Sequence, residues 1–95
     1  MSMENKGENM KIYLVESESN KELYNYLMKK YIMVQYANLN EAKVIIVNKV
    51  YNVRKALDIV DFALNNGKEV ICLKNKIGKE YYVCNYLIKD GAICI

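Results

Sequence analysis

Residues 44–73, VIIVNKVYNVRKALDIVDFALNNGKEVICL, decide the fold predicted for this chain. Two apolar runs at the ends of this stretch, 44–47 and 70–73, are typical of strands buried on both faces of a parallel sheet. Between them, apolar residues recur with the period of an amphipathic helix, which Asn52 can cap and Gly67 can end. A strand–helix–strand unit of this kind predicts a right-handed crossover between parallel strands.

The sequence on either side of this unit continues the alternation of strands and helices. Ser19 and Glu22 stand at capping-box spacing and predict the start of a first helix. The predicted strands are 12–15, 33–36, 44–47, 70–73 and 92–95, and a third helix is predicted at 79–90. We therefore expect an α/β fold with three layers, a mostly parallel five-stranded sheet with helices on both faces, of the Rossmann-like kind.

Length and composition predict one globular domain. The chain has 95 residues, of which 53% are hydrophobic and 26% charged. Residues 1–10 lack periodicity and predict a disordered tail, so that residues 11–95 form the single domain. The start is polar, and no apolar run reaches the roughly 18 residues of a membrane-spanning helix. We expect a cytoplasmic protein without a membrane partner.

The residue types present argue against catalysis. There is no His, and Ser occurs only at positions 2, 17 and 19 with no base in sight. Cys72, Cys84 and Cys94 are odd in number and widely spaced, so we expect three reduced thiols in the core rather than disulfides or a metal site. We therefore predict no enzyme activity, no metal and no cofactor.

Two loops of the predicted fold have the composition of a nucleic-acid-binding surface. In open parallel sheets, ligands gather at the carboxyl ends of the strands. The loops that follow the third and fourth strands combine basic and aromatic residues, namely Lys49, Tyr51, Arg54 and Lys55, and Lys74, Lys76, Lys79 and Tyr81. Cationic side chains that bind phosphates, next to aromatic rings that stack on bases, are typical of proteins that bind single-stranded nucleic acids. The alternative is that these lysines are only solvated. Glu16 and Glu18, after the first strand, would repel phosphate.

The second half of the chain resembles the DNA processing protein A family, also called Smf. Residues 85–92, NYLIKDGA, are similar to the family's closing Asn-x-Leu-Ile-x-Asp-Gly-Ala segment. Residues 63–70, ALNNGKEV, are similar to its Ala-Leu-x-x-Gly-Arg-Glu-Val segment, and residues 39–47 to its Leu-Ser-x-x-x-x-Val-Val-Val strand. The resemblance implies a Rossmann-like domain that binds single-stranded DNA in recombination or transformation, with a recombinase as a partner.

The chain departs from this family at its phosphate-binding turns. Residues 54–56 replace a Ser-Gly-Ser turn, and residues 74–75 replace a Pro-Gly pair. The alternative function is therefore a non-catalytic protein-interaction or nucleotide-sensing Rossmann-like domain that has lost the DNA pocket. Residues 11–18 also resemble the opening of a response-regulator receiver domain, but Asn48 follows the strand where the phosphoacceptor Asp would stand, so only the fold is comparable.

We also expect the protein to self-associate. Three helices leave part of a five-stranded sheet uncovered, and the chain ends at a strand with nothing to shield it. The predicted homodimer surface consists of Tyr82, Tyr86, Ile93 and Ile95, which lie off the inward stripe of the third helix or at the last strand. The DNA processing protein A resemblance also implies a dimer through the end of this domain.

Overall fold

A computed structural model describes residues 10–73, 78–89 and 93–94, with side chains to residue 87. Lys74 and Lys76 of the predicted surface, Ile95 and most of the predicted tail lie outside the described residues. The strands are β1 (Lys11–Leu14), β2 (Ile32–Met33), β3 (Val44–Val47), β4 (Glu69–Cys72) and β5 (Ile93–Cys94). The helices are α1 (Lys21–Met28), α2 (Val53–Asn65) and α3 (Tyr82–Lys89). Short 3-10 helices cover Ser17–Ser19, Tyr36–Glu41 and Lys79–Tyr81.

Every described strand pair is parallel, and the strands lie in the order β2-β1-β3-β4-β5. From β1 the chain crosses to β2 on one side, and from β3 it crosses to β4 on the other. The prediction of a parallel α/β class is confirmed. The change of direction between β1 and β3 creates a crevice at their carboxyl ends, where ligands bind in folds of this class.

Helices cover both faces of the sheet because strand residues alternate between them. On one face, α1 packs through Leu27 onto Ile12, Leu14, Val44 and Ile46. On the other face, α2 and α3 pack through Ala56, Ile59, Val60, Ala63, Val83, Cys84 and Leu87 onto Tyr13, Val15, Ile45, Val47, Val70 and Cys72. The central strand β3 is buried along its whole length, as its VIIV sequence predicts.

The predicted helix α2 is the most accurate part of the sequence analysis. The Asn52 side chain accepts a hydrogen bond from the backbone N–H of Lys55 at 3.2 Å and caps the helix. Gly67 follows the helix with a φ of 70°, the left-handed conformation that favours glycine. Both ends of the helix were thus encoded locally.

The first helix does not start with the predicted capping box. Ser19 belongs to a 3-10 helix, and its hydroxyl donates to the carboxylate of Glu16 at 3.1 Å. Asn20 precedes α1, but its side chain bonds to the neighbouring loops instead of capping the helix. The local bond to Glu16 and the tertiary contact of Asn20 with Lys49 therefore replace the predicted capping box.

Several predicted boundaries were wrong by a few residues. The strand predicted at 33–36 is Ile32–Met33, because Tyr36 begins a 3-10 helix and packs against Tyr13 with ring centroids 6.3 Å apart. The helix predicted at 79–90 begins as a 3-10 helix, in which the N–H of Tyr81 donates to the carbonyl of Gly78, and becomes α-helical at Tyr82.

Candidate functional site

Glu16 stands at the carboxyl end of β1 and closes the amino end of α2. Its Oε2 accepts hydrogen bonds from the backbone N–H groups of Tyr51 and Asn52, at 2.8 and 2.7 Å. Its other oxygen accepts from the Ser19 hydroxyl. Glu16 itself has a left-handed backbone, with φ 51° and ψ 57°, which aims its side chain across to α2.

This arrangement changes the chemistry of the crevice. The amino end of a helix carries a partial positive charge and unpaired N–H groups, which is why folds of this class bind phosphate there. Here the Glu16 carboxylate of the same chain accepts hydrogen bonds from two backbone amides just before α2. The expected repulsion of phosphate by Glu16 therefore has a specific geometry, because its carboxylate already engages the Tyr51 and Asn52 donors at this end of the helix.

Asn20 and Asn48 are the buried polar centre of the crevice. The Asn20 amide nitrogen donates to the carbonyls of Val15, Glu16 and Lys49, at 3.3, 2.8 and 3.1 Å. Its oxygen accepts from the Lys49 backbone N–H and from the Asn48 amide. Asn20 thereby ties the loop after β1 to the loop after β3. Asn48 Oδ1 has no hydrogen-bond partner among the residues that the structure describes.

The two predicted basic loops touch each other where the structure describes them. The backbone N–H of Val50 donates to the carbonyl of Glu80 at 2.6 Å. Lys49 and Tyr81 line one crevice of about 460 Å³, together with the acidic residues Glu18 and Glu22. The loops therefore converge, but the surface they share carries both signs of charge.

A second, larger cleft of about 510 Å³ lies between the end of β1 and the start of α2. Its lining includes Tyr13, Glu16, Glu18, Tyr51 and Lys55. Burial, and then the negative charge of Glu18, raise the pKa of the Tyr13 hydroxyl above its ordinary value. The Lys55 ammonium lies 4.5 Å from the ring centroid of Tyr36, a cation–π contact.

Of the eight predicted DNA-binding residues, six lie in the described part of the chain. Tyr51 is 66% exposed, and Arg54, Lys55 and Lys79 are also exposed. Lys49 and Tyr81 are half-buried. The structure adds Tyr13, Asn20 and Asn48, none of which was predicted to be a binding residue. The one sequence signal for these three residues was their position, because each lies at or near the carboxyl end of a predicted strand.

The predicted dimer residues are only partly described. Tyr82 and Tyr86 are 60% and 48% exposed on α3, and their rings stack with centroids 6.4 Å apart. The Ile93 side chain and all of Ile95 lie outside the described residues. The described tyrosines thus form an exposed aromatic pair on one helix.

Cys72 and Cys84 are buried and form no disulfide, as expected. The Cys84 sulfur lies 3.5 Å from the carbonyl oxygens of Val47 and Leu73. The Cys94 side chain lies outside the part of the chain for which side chains are described. Among the described residues, no group of three His, Cys, Asp or Glu side chains could hold a metal ion.

Comparison with known proteins identifies no relative. No protein-family model matches the chain, and neither a curated protein nor a solved structure matches it significantly. In the part of the chain that the structure describes, no helix combines the length and the apolar character needed to cross a bilayer.

Proposed function

We propose that this chain is a non-catalytic, Rossmann-like interaction module of the cytoplasm that has lost the phosphate pocket of its fold. The strand order supports a doubly wound sheet related to the Rossmann fold, because 2-1-3-4-5 is the flavodoxin-like order, in which ligands also bind where the strand order reverses. The observation that carries the proposal is the pair of hydrogen bonds from the Tyr51 and Asn52 amides to Glu16. They fill the position that a nucleotide phosphate would need.

The absence of catalysis is part of this proposal. The Ser19 hydroxyl donates a hydrogen bond to the Glu16 carboxylate, which two backbone amides already hold. Glu16 is thereby a structural partner rather than a free base. A nucleophile also needs a base that can accept its proton during the reaction.

Nucleotide titration followed by amide NMR tests this proposal. We expect adenosine and guanosine triphosphates, and inorganic phosphate, to leave the Tyr51 and Asn52 amide signals unchanged up to millimolar concentrations. The same amides should shift in a Glu16→Gln variant without ligand, which verifies their assignment. Saturable shifts of these two amides in the unaltered protein would refute the loss of the pocket.

Single-stranded DNA binding is a second candidate, favoured by the contact between the two basic loops. The bond from Val50 to Glu80 brings those loops together, and Tyr51, Arg54 and Lys55 are all exposed around the start of α2. An exposed ring flanked by cations can stack on a base while the cations bind phosphates. In this candidate the module is a distant member of the DNA processing protein A family, and a recombinase is its further partner.

Fluorescence anisotropy with a labelled oligothymidylate tests this second candidate. Affinity should fall with salt, with a log–log slope of about −0.7 for each phosphate contacted. Arg54→Glu combined with Lys55→Glu should abolish binding. Lys29→Glu combined with Lys43→Glu changes the net charge equally at exposed positions away from these loops. Equal losses in both double variants would indicate a nonspecific charge effect and contradict the candidate.

A homodimer through α3 completes the proposal. Its support is the exposed, stacked pair of Tyr82 and Tyr86, since aromatic rings are enriched in protein interfaces. Sedimentation velocity at tens of micromolar should give a dimer, and Tyr86→Lys should convert it to a monomer. A monomer for the unaltered chain at that concentration contradicts this part of the proposal.

A further inference from the structure

The larger cleft, between β1 and α2, contains two opposite charges that do not pair with each other. Glu18 and Lys55 both line it. The only ion pair among the described residues joins Lys11 to Glu41, at 2.9 Å. The Lys55 ammonium instead lies against the Tyr36 ring. The Glu16 carboxylate also lines the cleft, but it already accepts hydrogen bonds from Ser19, Tyr51 and Asn52, so the Glu18 carboxylate and the Lys55 ammonium are the charges that can take a partner from solution.

Tyr13 adds a hydroxyl that is accessible from the cleft. The residue is 8% exposed and lines the cleft. Its hydroxyl is not among the buried polar atoms that lack a partner, and the described residues form no hydrogen bond with it, so it can accept one from a ligand. The negative charges of Glu18 and Glu16 act on this hydroxyl. A ligand group that donates hydrogen bonds would satisfy Tyr13 and Glu18 together.

Three apolar side chains also line the cleft. Val15, Ala56 and Ile59 line it and are at most 3% exposed. Its volume of about 510 Å³ lies in the range of small-molecule sites. These side chains suit an aliphatic or aromatic group, while the charged residues suit polar groups attached to it.

We propose that this cleft binds a small zwitterion, an α-amino acid with an apolar side chain. Its ammonium group lies between the Glu18 carboxylate and the Tyr13 hydroxyl, and its carboxylate pairs with Lys55. The apolar side chain contacts Val15 and Ile59. A purely anionic ligand would meet Glu16 and Glu18, and a purely cationic ligand would meet Lys55, so the zwitterion is the class that matches both charges.

This inference goes beyond the proposed function and stands apart from DNA binding. Lys55 takes part in both amino-acid binding and DNA binding, whereas Glu18 takes part only in amino-acid binding. Removal of the Glu18 charge should weaken amino-acid binding and leave oligonucleotide affinity equal or higher, because it removes an anion near the basic loops. The two activities can therefore fail separately.

The experiment is a titration followed by amide NMR, with leucine, methionine and phenylalanine as probes. Leucine is compared with isopentylamine, which lacks the carboxylate, and with 4-methylpentanoate, which lacks the ammonium. We expect each analogue to bind about ten-fold more weakly or worse, because each loses a charge-assisted contact. The shifted amides should be those around Val15 and Ala56.

Two variants and two matched controls decide the assignment of the charges. Glu18→Gln and Lys55→Gln should each weaken leucine binding about ten-fold, and Glu18→Gln should also remove the preference for leucine over 4-methylpentanoate. Glu22→Gln and Lys21→Gln, which carry the same charge changes outside this cleft, should leave binding unchanged. The proposal is overturned if none of the three amino acids binds at tens of millimolar, or if leucine binding is the same in all four variants.

Discussion

Replacing Glu16 by Gln should destabilise the fold by about 1–2 kcal/mol. The carboxylate accepts two backbone hydrogen bonds at 2.8 and 2.7 Å, next to the amino end of α2. Hydrogen bonds to a charged group stabilise by about 1.5–3 kcal/mol and neutral ones by about 1 kcal/mol. The charge also gains about 0.3–1 kcal/mol from the helix. Gln keeps a neutral acceptor, and Glu16 is half-buried, so the net loss lies at the lower end of these values.

The backbone of Glu16 permits a second, independent measurement at the same position. Its φ of 51° costs a residue with a side chain about 1 kcal/mol relative to glycine. Glu16→Ala and Glu16→Gly both remove the carboxylate, but only glycine relieves the backbone. We therefore expect Glu16→Gly to be the more stable of the two by about 1 kcal/mol.

Urea unfolding followed by far-UV circular dichroism measures all three variants. In thermal unfolding, a loss of 1–2 kcal/mol in the free energy of unfolding corresponds to a fall in Tm of about 4–16 °C for a domain of this size. Asp61→Asn is the control, since it removes the same charge at an exposed position in α2. If Glu16→Gln lies within about 0.5 kcal/mol of that control, the carboxylate does not hold the two loops together and the reasoning is wrong.

Three further predictions concern buried polar groups. Asn20→Asp should cost about 3 kcal/mol or more in the same unfolding assay, because a carboxylate would face the three carbonyls that the Asn20 amide now satisfies. The pKa of Tyr13 is raised in the folded state, so its contribution to stability is complete below pH 10 and is lost as the pH rises through the raised pKa. In Tyr13→Phe, the free energy of unfolding should therefore fall less steeply with pH in the alkaline range. Cys72 and Cys84 should react with a thiol reagent only at the rate of unfolding, because both are at most 2% exposed, even though a hydrogen bond with Cys72 lowers the pKa of Cys84. Rapid modification of either thiol in the native protein, measured by peptide mapping, would contradict that burial.

The agreement between sequence and structure is best where the signal is local. The apolar run of β3 and the caps at Asn52 and Gly67 depend on neighbours in the chain, and each lies where it was predicted. The capping box at Ser19 failed because a competing local partner, Glu16, accepts the hydrogen bond of the Ser19 hydroxyl. Strand β2 is shorter than predicted, because the chain turns into a 3-10 helix at Tyr36.

The candidate site was predicted in its place but not in its chemistry. Basic and aromatic residues were expected at the carboxyl ends of the strands, and Lys49, Tyr51 and Tyr81 are there. The acidic loop after β1 was also expected to disfavour phosphate. Its partners were not predictable, because Glu16 and the amides that it binds are 35 and 36 residues apart in the chain.

By itself, the sequence determined the order of strands and helices, the parallel α/β class and the residues that form the core. These follow from hydrophobic periodicity, which acts over a few residues and is visible along the chain. Only the tertiary structure decided which polar groups meet. Glu16 reaches the start of α2, Asn20 joins two loops, and Glu18 and Lys55 face one cleft because the crossovers bring the ends of β1 and β3 together. Side-chain partners across such a crevice depend on distances in space, which spacing along the chain does not encode.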